Sequence, residues 1–328
     1  MKQSVNLILC IFFISVIPLL FGCKKGDPAE ISTVEVTGIT NNSAVSGGTI
    51  ISDGGCDITE KGVCWNKTGN PVIETDPKTS NGEGSGNFTS NITGLEAATT
   101  YYLKAYATNG CGTSYGEEFT FTTKVADADG NLYNTVKIGN QIWMAENLKT
   151  TKYNDNTSIP LVTDNTEWIT LSTAAYCWAA NNEALYKDLY GAFYNWYAVE
   201  SEKLCPEGWH VPTDADFKAL EINLGMSQAQ ADATEWRGTD QGKKMKNSTG
   251  WKDGENGTNT TGFSAMPGGY RAYASGASDG LGMLTYWWTS DQSNEEMGLY
   301  RRLDGNNDAV YRNGTDKKAG KSVRCLKD

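Results

Sequence analysis

After residue 22 the chain never sustains a long apolar run: its hydrophobic residues fall in short alternating stretches broken by turn clusters, and 36 of its 328 residues are glycine. Period-two alternation with Gly, Asn and Asp between the runs builds strands that bury one face. A turn-rich β protein follows, and at this length two domains are expected rather than one. Acidic side chains outnumber basic ones, 39 to 28, for a formal net charge of −11. That balance leaves no cationic footprint for a phosphate backbone, so nucleic acid is not an expected partner. A lone histidine, His210, argues against multi-histidine metal centres and leaves one residue to serve any Ser-His-Asp or Cys-His pair. No metal and no cofactor are expected.

The first residues carry an address. Val5 to Leu20 is almost wholly apolar, follows Lys2, and at about sixteen residues is short for a membrane-spanning helix. Residues 1–22 therefore read as a signal peptide. The run LLFGCKK sets Cys23 directly after Gly22 and resembles the lipobox of bacterial lipoproteins, with Phe21 departing from the small residue usual there. The resemblance implies that Cys23 becomes the mature first residue and holds the protein to a lipid bilayer through two or three acyl chains such as palmitate. Removing residues 1–22 takes away Lys2 and no acid, moving the net charge from −11 to −12. Enteric lipoproteins kept in the inner membrane carry Asp where this chain has Lys24, so outer-membrane delivery is expected, with the periplasmic or the surface face left open. Gly26 and Pro28 mark residues 23–30 as a short linker.

From TVEVTGI through SAVSGGTIIS, GVCWNK and TTYYLKAYA to EEFTFTT, residues 31–124 repeat a strand-and-turn spacing that reads as an all-β sandwich. Tyr101, Leu103, Ala105 and Ala107 share one strand face, and Tyr102, Lys104, Tyr106 and Thr108 the other. Leu95 stands six residues before Tyr101, which resembles the tyrosine corner of fibronectin type III and immunoglobulin-like domains. Such modules act as spacers or binders. Cys56, Cys64 and Cys111 form an odd set in an oxidising compartment. Cys64 lies in a strand, where core burial is the default for a thiol. Cys56 and Cys111 lie in turns, and a bridge between those two is favoured over any pairing that uses Cys64.

Residues 125–328 open as a β-meander, with turns at Asp129-Gly130 and Gly139-Asn140. Asp127, Asp129 and Asn131 imitate the start of a calcium loop, but the glutamate at EF-hand spacing is missing, which favours a plain hairpin turn. In ALYKDLYGAFYNWYAV, Leu185, Leu189, Phe193 and Trp196 recur at helical spacing, predicting a buried stripe. Thr213 with Asp216 predicts a capped helix whose apolar face is Phe217, Leu220 and Leu224, and Ser227 with Gln230 a second capping box. Beyond Trp236 the chain turns to Gly-rich loops and strands, so an α+β domain is expected.

The run DGNLYNTVKIGNQIWMAENL, followed in order by YGAFYNWYAV, CPEGWHVPTDADF, GFSAMPGGYR, WWTS and SVRCLKD, resembles the Fibrobacter succinogenes major paralogous domain family over about 200 residues. HVPTDADF and VRC are also similar to the RLPTEAEW and FRC segments of formylglycine-generating enzymes, which implies their C-type lectin-like fold. Their oxidase activity is not implied. It needs a cysteine pair ahead of the FRC cysteine, and no cysteine lies between Cys205 and Cys325. The Glu-Pro-Asn and Gln-Pro-Asp triplets of calcium-dependent lectins are also absent, and no nucleophile is tied by motif to His210, which reads as a hydrogen-bonded structural residue. The protein is not expected to be an enzyme. The resembling folds staple their last strand to the interior through cysteines placed like Cys205 and Cys325, which implies that bridge and leaves Cys177 free or packed.

Two functions remain. One is a cell-envelope lipoprotein that binds glycan or an envelope protein through the C-terminal domain; the other is a structural or adhesion lipoprotein without a small ligand. Trp287 and Trp288 are neighbours on an expected strand and must point to opposite faces. An outward Trp288 or Trp287 would stack on a sugar ring, with Trp251, Tyr270, Arg271, Tyr273 and Asp291 in nearby loops. Burial of both tryptophans is the competing expectation.

Overall fold

The computed structural model describes residues 26–328, so the expected Cys23 anchor lies outside the described residues. Strands β1 (Glu30–Thr37), β2 (Ser43–Ser52), β3 (Ile58–Asn66), β4 (Phe88–Thr93), β5 (Thr100–Asn109), β6 (Gly112–Tyr115) and β7 (Phe119–Thr122) come first in the chain. They form two antiparallel sheets, β1-β2-β4 and β3-β5-β6, with β7 also pairing β5. Ile31, Ala44 and Ile92 from one sheet meet Val63, Leu103, Ala105 and Phe121 from the other in a shared core. The expected inward row of β5 is buried in full. The Tyr101 phenol accepts a hydrogen bond from the Glu96 amide at 3.0 Å, so the tyrosine corner is made.

Cys64 is buried on the face of β3 opposite the inter-sheet core, under the segment around Lys78 that bridges to it, and burial pushes its thiol up to about 12. The Cys56 and Cys111 sulfurs lie 2.7 Å apart as free thiols, packed beside Gly26. The turns expected to bridge are thus brought side by side.

Residues 125–328 use mostly shorter strands. Two hairpins, β8 (Val125–Ala126) with β9 (Leu132–Tyr133) and β10 (Thr135–Ile138) with β11 (Gln141–Met144), lead in. The turn between the first pair is tied by its own aspartate, because Asp127 accepts from the Asp129 and Asn131 amides, the Asn131 side chain and the Tyr133 phenol. Asp129 is filled in the same way by Thr150 and Thr151. These carboxylates already have their donors, as a hairpin turn requires.

Next come α1 (Asn165–Trp168), β12 (Tyr176–Trp178), α2 (Glu183–Tyr190), β13 (Ala192–Tyr194), α3 (Trp196–Val199) and β14 (Trp209–His210). The expected helical stripe is corrected here. Gly191 at φ 72° ends α2, and the chain re-forms as a strand paired with β12. Leu185 and Leu189 consequently stand 60% and 53% exposed, while Phe193 and Trp196 are buried from other elements. Helices α4 (Asp214–Asn223) and α5 (Gln228–Asp232) both begin with the expected capping boxes, Thr213 with Asp216 and Ser227 with Gln230. Phe217 and Leu220 are buried and Leu224 packs at the edge of the same cluster.

The remainder is β15 (Glu235–Arg237), α6 (Gln241–Met245), β16 (Tyr270–Arg271), β17 (Ser278–Asp279), β18 (Leu284–Asn294), β19 (Met297–Asp304), β20 (Val310–Asp316) and β21 (Leu326–Lys327). Two four-stranded sheets result, β10-β11-β21-β14 and β15-β20-β19-β18. A disulfide joins Cys205 to Cys325 across 120 residues and fixes the segment that enters β21. Among the described residues no helix is long and apolar enough to cross a membrane.

Candidate functional site

The segments that carry the family resemblance meet one another inside the C-terminal unit. Asn147, from MAENL, accepts from the Trp287 indole at 2.9 Å and from the Arg324 guanidinium at 2.8 Å. Arg324, from SVRC, stacks on Phe263 of GFSAM at 4.1 Å. Asp214, from PTDADF, pairs with Arg301 and Arg312, which outweigh burial and hold its carboxyl well below the usual range. The signature residues are mutual packing partners, so they explain the fold more directly than any ligand.

That arrangement corrects most of the expected binding set. Trp287 and Trp288 are both fully buried, because each face of β18 is covered. Phe263 and Arg324 pack on Trp287, while Trp288 donates to the Tyr194 carbonyl at 2.8 Å. Trp251 is buried and donates to the Ala265 carbonyl at 3.1 Å. Arg271 is buried over the Trp168 ring and spends its guanidinium on the carbonyls of Val162, Thr163, Asp164 and Gly276. Asp291 accepts from the Asp214 amide at the start of α4, so it caps a helix. Tyr273 is 46% exposed near the β16-β17 turn. Of that set, only Tyr270 joins the aromatic face described next.

His210 has both ring nitrogens engaged, Nδ1 with Asp328 at 2.7 Å and Nε2 with Asp216 at 3.2 Å. The Asp216 contact raises its pKa against the opposing effect of burial, and Asp328 adds to it. A cavity of about 460 Å³ lies beside it, lined also by Thr213 and Ser290. With both ring nitrogens held by carboxylates, neither is placed to activate a hydroxyl. A second cavity, about 370 Å³, lies over Asn147 and Arg324; of its other lining charges Lys149 pairs with Asp188, and Glu146 accepts from the Asn134 amide and side chain.

The side chains left unspent are aromatic. Register places Trp236 opposite Tyr311, Tyr311 opposite Arg302, and Arg302 opposite Tyr286, one unbroken row across β15, β20, β19 and β18. Tyr300 occupies the next row on the same face, opposite Trp288. Ring centroids step from Trp236 to Tyr311 (5.1 Å), Tyr300 (6.1 Å), Tyr286 (5.6 Å) and Tyr270 (4.7 Å). Trp236 is 38% exposed and Tyr311, Arg302 and Tyr270 are half-buried, whereas Tyr286 and Tyr300 are buried. Arg302 lies within 5.7 Å of the Trp236, Tyr311 and Tyr286 rings and forks onto Asp304. Burial pushes the Tyr286 phenol up, and that of Tyr300 up to about 12, so both are neutral donors.

Apart from Tyr270, this row was missed in the sequence. Its signal is alternation, Tyr286 with Trp288 and Tyr300 with Arg302, but alternation cannot say which strands are neighbours.

The class is a mostly β-sheet chain with few helices, a sandwich followed by a unit of short strands. The chain belongs to the Fibrobacter succinogenes major domain family, whose family model matches residues 136–327. Among curated proteins no match is found. Among solved structures, one titled "Myokine structure" is 19% identical, covering 30% of this chain and 98% of its own at a TM-score of 0.24. The sensor domain of the anti-sigma factor RsgI4 of Pseudobacteroides cellulosolvens is 21% identical over 30% of this chain and 95% of its own, TM-score 0.24. A human fibronectin type III domain, the sixth of fibronectin type III domain containing protein 3, is 25% identical over 30% of this chain and 82% of its own, TM-score 0.21. At such scores the weight rests on the strand pairing itself, which is that of a two-sheet sandwich.

Proposed function

We propose that this is a non-catalytic outer-membrane lipoprotein, acylated at Cys23, whose sandwich spaces a C-type lectin-like domain from the bilayer, and that the domain binds glycan through the row Trp236, Tyr311, Tyr286 and Tyr270. The carrying observation is that row, continuous across four strands: Trp236 is partly exposed, Tyr311, Arg302 and Tyr270 are half-buried, and Tyr286 is buried behind them. Sugar rings stack their C–H faces on such surfaces while phenol hydroxyls and Arg302 supply hydrogen bonds. The absence of a cysteine pair between Cys205 and Cys325, and the saturated His210, support a binding role over an enzymatic one.

The test is a glycan array probed with the full chain in detergent, followed by affinity electrophoresis of Trp236→Ala and Tyr311→Ala. Each variant is expected to melt like the parent and to lose about tenfold or more in retention, the range of an aromatic anchor. Unchanged retention in both variants overturns the reading. A blank array favours the other reading, a structural or adhesion lipoprotein, which the burial of Trp287, Trp288 and Trp251 already supports.

A further inference from the structure

One buried cation in the C-terminal unit stands apart from the others. Arg271, Arg301, Arg324 and Lys246 are each held by carbonyls, carboxylates or an amide oxygen. Lys321 is 3% exposed, and among the described residues its Nζ makes neither a hydrogen bond nor an ion pair. It is ringed instead by Tyr286 at 4.2 Å, Tyr300 at 4.3 Å, Trp288 at 5.1 Å and Tyr270 at 5.4 Å. The backbone imposes this placement. Lys321 exchanges both amide hydrogen bonds with Tyr194, and Ser322 runs along β18, which sets the Lys321 side chain among residues 286 and 288.

The groups facing Nζ are Tyr286 and Trp288 from β18, Tyr300 and Arg302 with Asp304 from β19, and Tyr270 from β16, beside Asp279 of β17. Asp304 is committed to Arg302. Burial, together with the Arg302 charge, drives the lysine well below its usual pKa. Aromatic faces attract an ammonium but cannot replace a counter-ion in a dry site. A bound anion would supply the missing counter-ion.

Resting on the glycan reading above, we propose that the Tyr270–Tyr286–Tyr300 end of the aromatic row is an acid-sugar subsite, in which Lys321 is the charge partner for the carboxylate of a uronate residue. The rings hold the sugar, and the amine reads its acid group.

The test is calorimetric titration of the full chain in detergent with oligogalacturonate and with its methyl ester. The acid is expected to bind at least about tenfold tighter than the ester. Lys321→Met is expected to abolish the preference while leaving ester binding in place. Equal binding of acid and ester in the parent protein overturns the subsite and leaves the aromatic reading standing. This parent-protein measurement decides even where Lys321→Met fails to fold. Failure of both ligands to bind, with other glycans retained on the array, also overturns the subsite; failure of every glycan overturns the aromatic reading with it.

Discussion

The two units solve the same packing problem with different material. In the sandwich, strands of six to ten residues such as β2, β4 and β5 pair along their length, and the core is aliphatic: Ile31, Val63, Ile92 and Leu103. Its buried lysine, Lys61, simply caps the Gly84 and Gly86 carbonyls. In the C-terminal unit many strands have only two to four residues, and the core is built from tryptophan, tyrosine and cations. Short strands leave many loop carbonyls without ladder partners. Arg271 and Lys246 answer that need by collecting carbonyls from loops far apart in sequence. A ladder is local and cheap to specify, whereas a cation-stapled loop core needs several distant segments in place at once.

The sharpest way to break the comparison is to remove the Cys205–Cys325 bridge. Closing a loop of 120 residues contributes about 5 kcal/mol in the chain-entropy picture, an upper figure. Cys205→Ser with Cys325→Ser is expected to lower the C-terminal melting transition steeply and leave the sandwich transition where it was, as read by calorimetry. One shared transition that falls as a whole would instead show the two units melting together.

Next in size are Trp287→Ala and Trp288→Ala. Because both indoles are buried and hydrogen-bonded, each substitution is expected to cost about 3 to 5 kcal/mol in denaturant unfolding. A near-neutral result for either one would mean that one face of β18 is open after all.

Within the sandwich, Tyr101→Phe removes the hydrogen bond from the Glu96 amide and keeps the ring. A loss of about 0.5 to 1.5 kcal/mol is expected, a local cost in keeping with a ladder-built core. The smallest effect concerns pH. The His210 pKa is raised in the folded protein, so its contribution is full below the ordinary histidine value and fades as pH rises through the folded value. Partial exposure reduces its size. Melting curves between pH 5 and 9, the span in which histidine titrates, should show a small decline that His210→Gln abolishes; an identical slope in the variant would assign it elsewhere.

Much of the first unit is legible in the chain itself. Period-two alternation places the inward row of β5, and the Leu95–Tyr101 spacing marks a bond that is made. Both helix starts, at Thr213 and Ser227, are legible too, since a capping box is written within four residues. The failures share one cause. Leu185, Leu189, Phe193 and Trp196 keep helical spacing, yet Gly191 turns the chain out of the helix to pair with β12. Trp287 and Trp288 do alternate as strand geometry demands, but a strand covered on both faces buries each of them.

The sequence by itself therefore determined what depends on near neighbours: strand periodicity, turns, caps, the tyrosine corner, and the family to which residues 136–327 belong. Tertiary structure alone decided which tryptophans are buried, how Asn147 gathers Trp287 and Arg324, and that Trp236, Tyr311, Arg302 and Tyr286 fall in one row. The physical reason is that side-chain direction is set residue by residue along a strand, whereas exposure and cross-strand neighbours depend on registers closed between segments far apart in sequence.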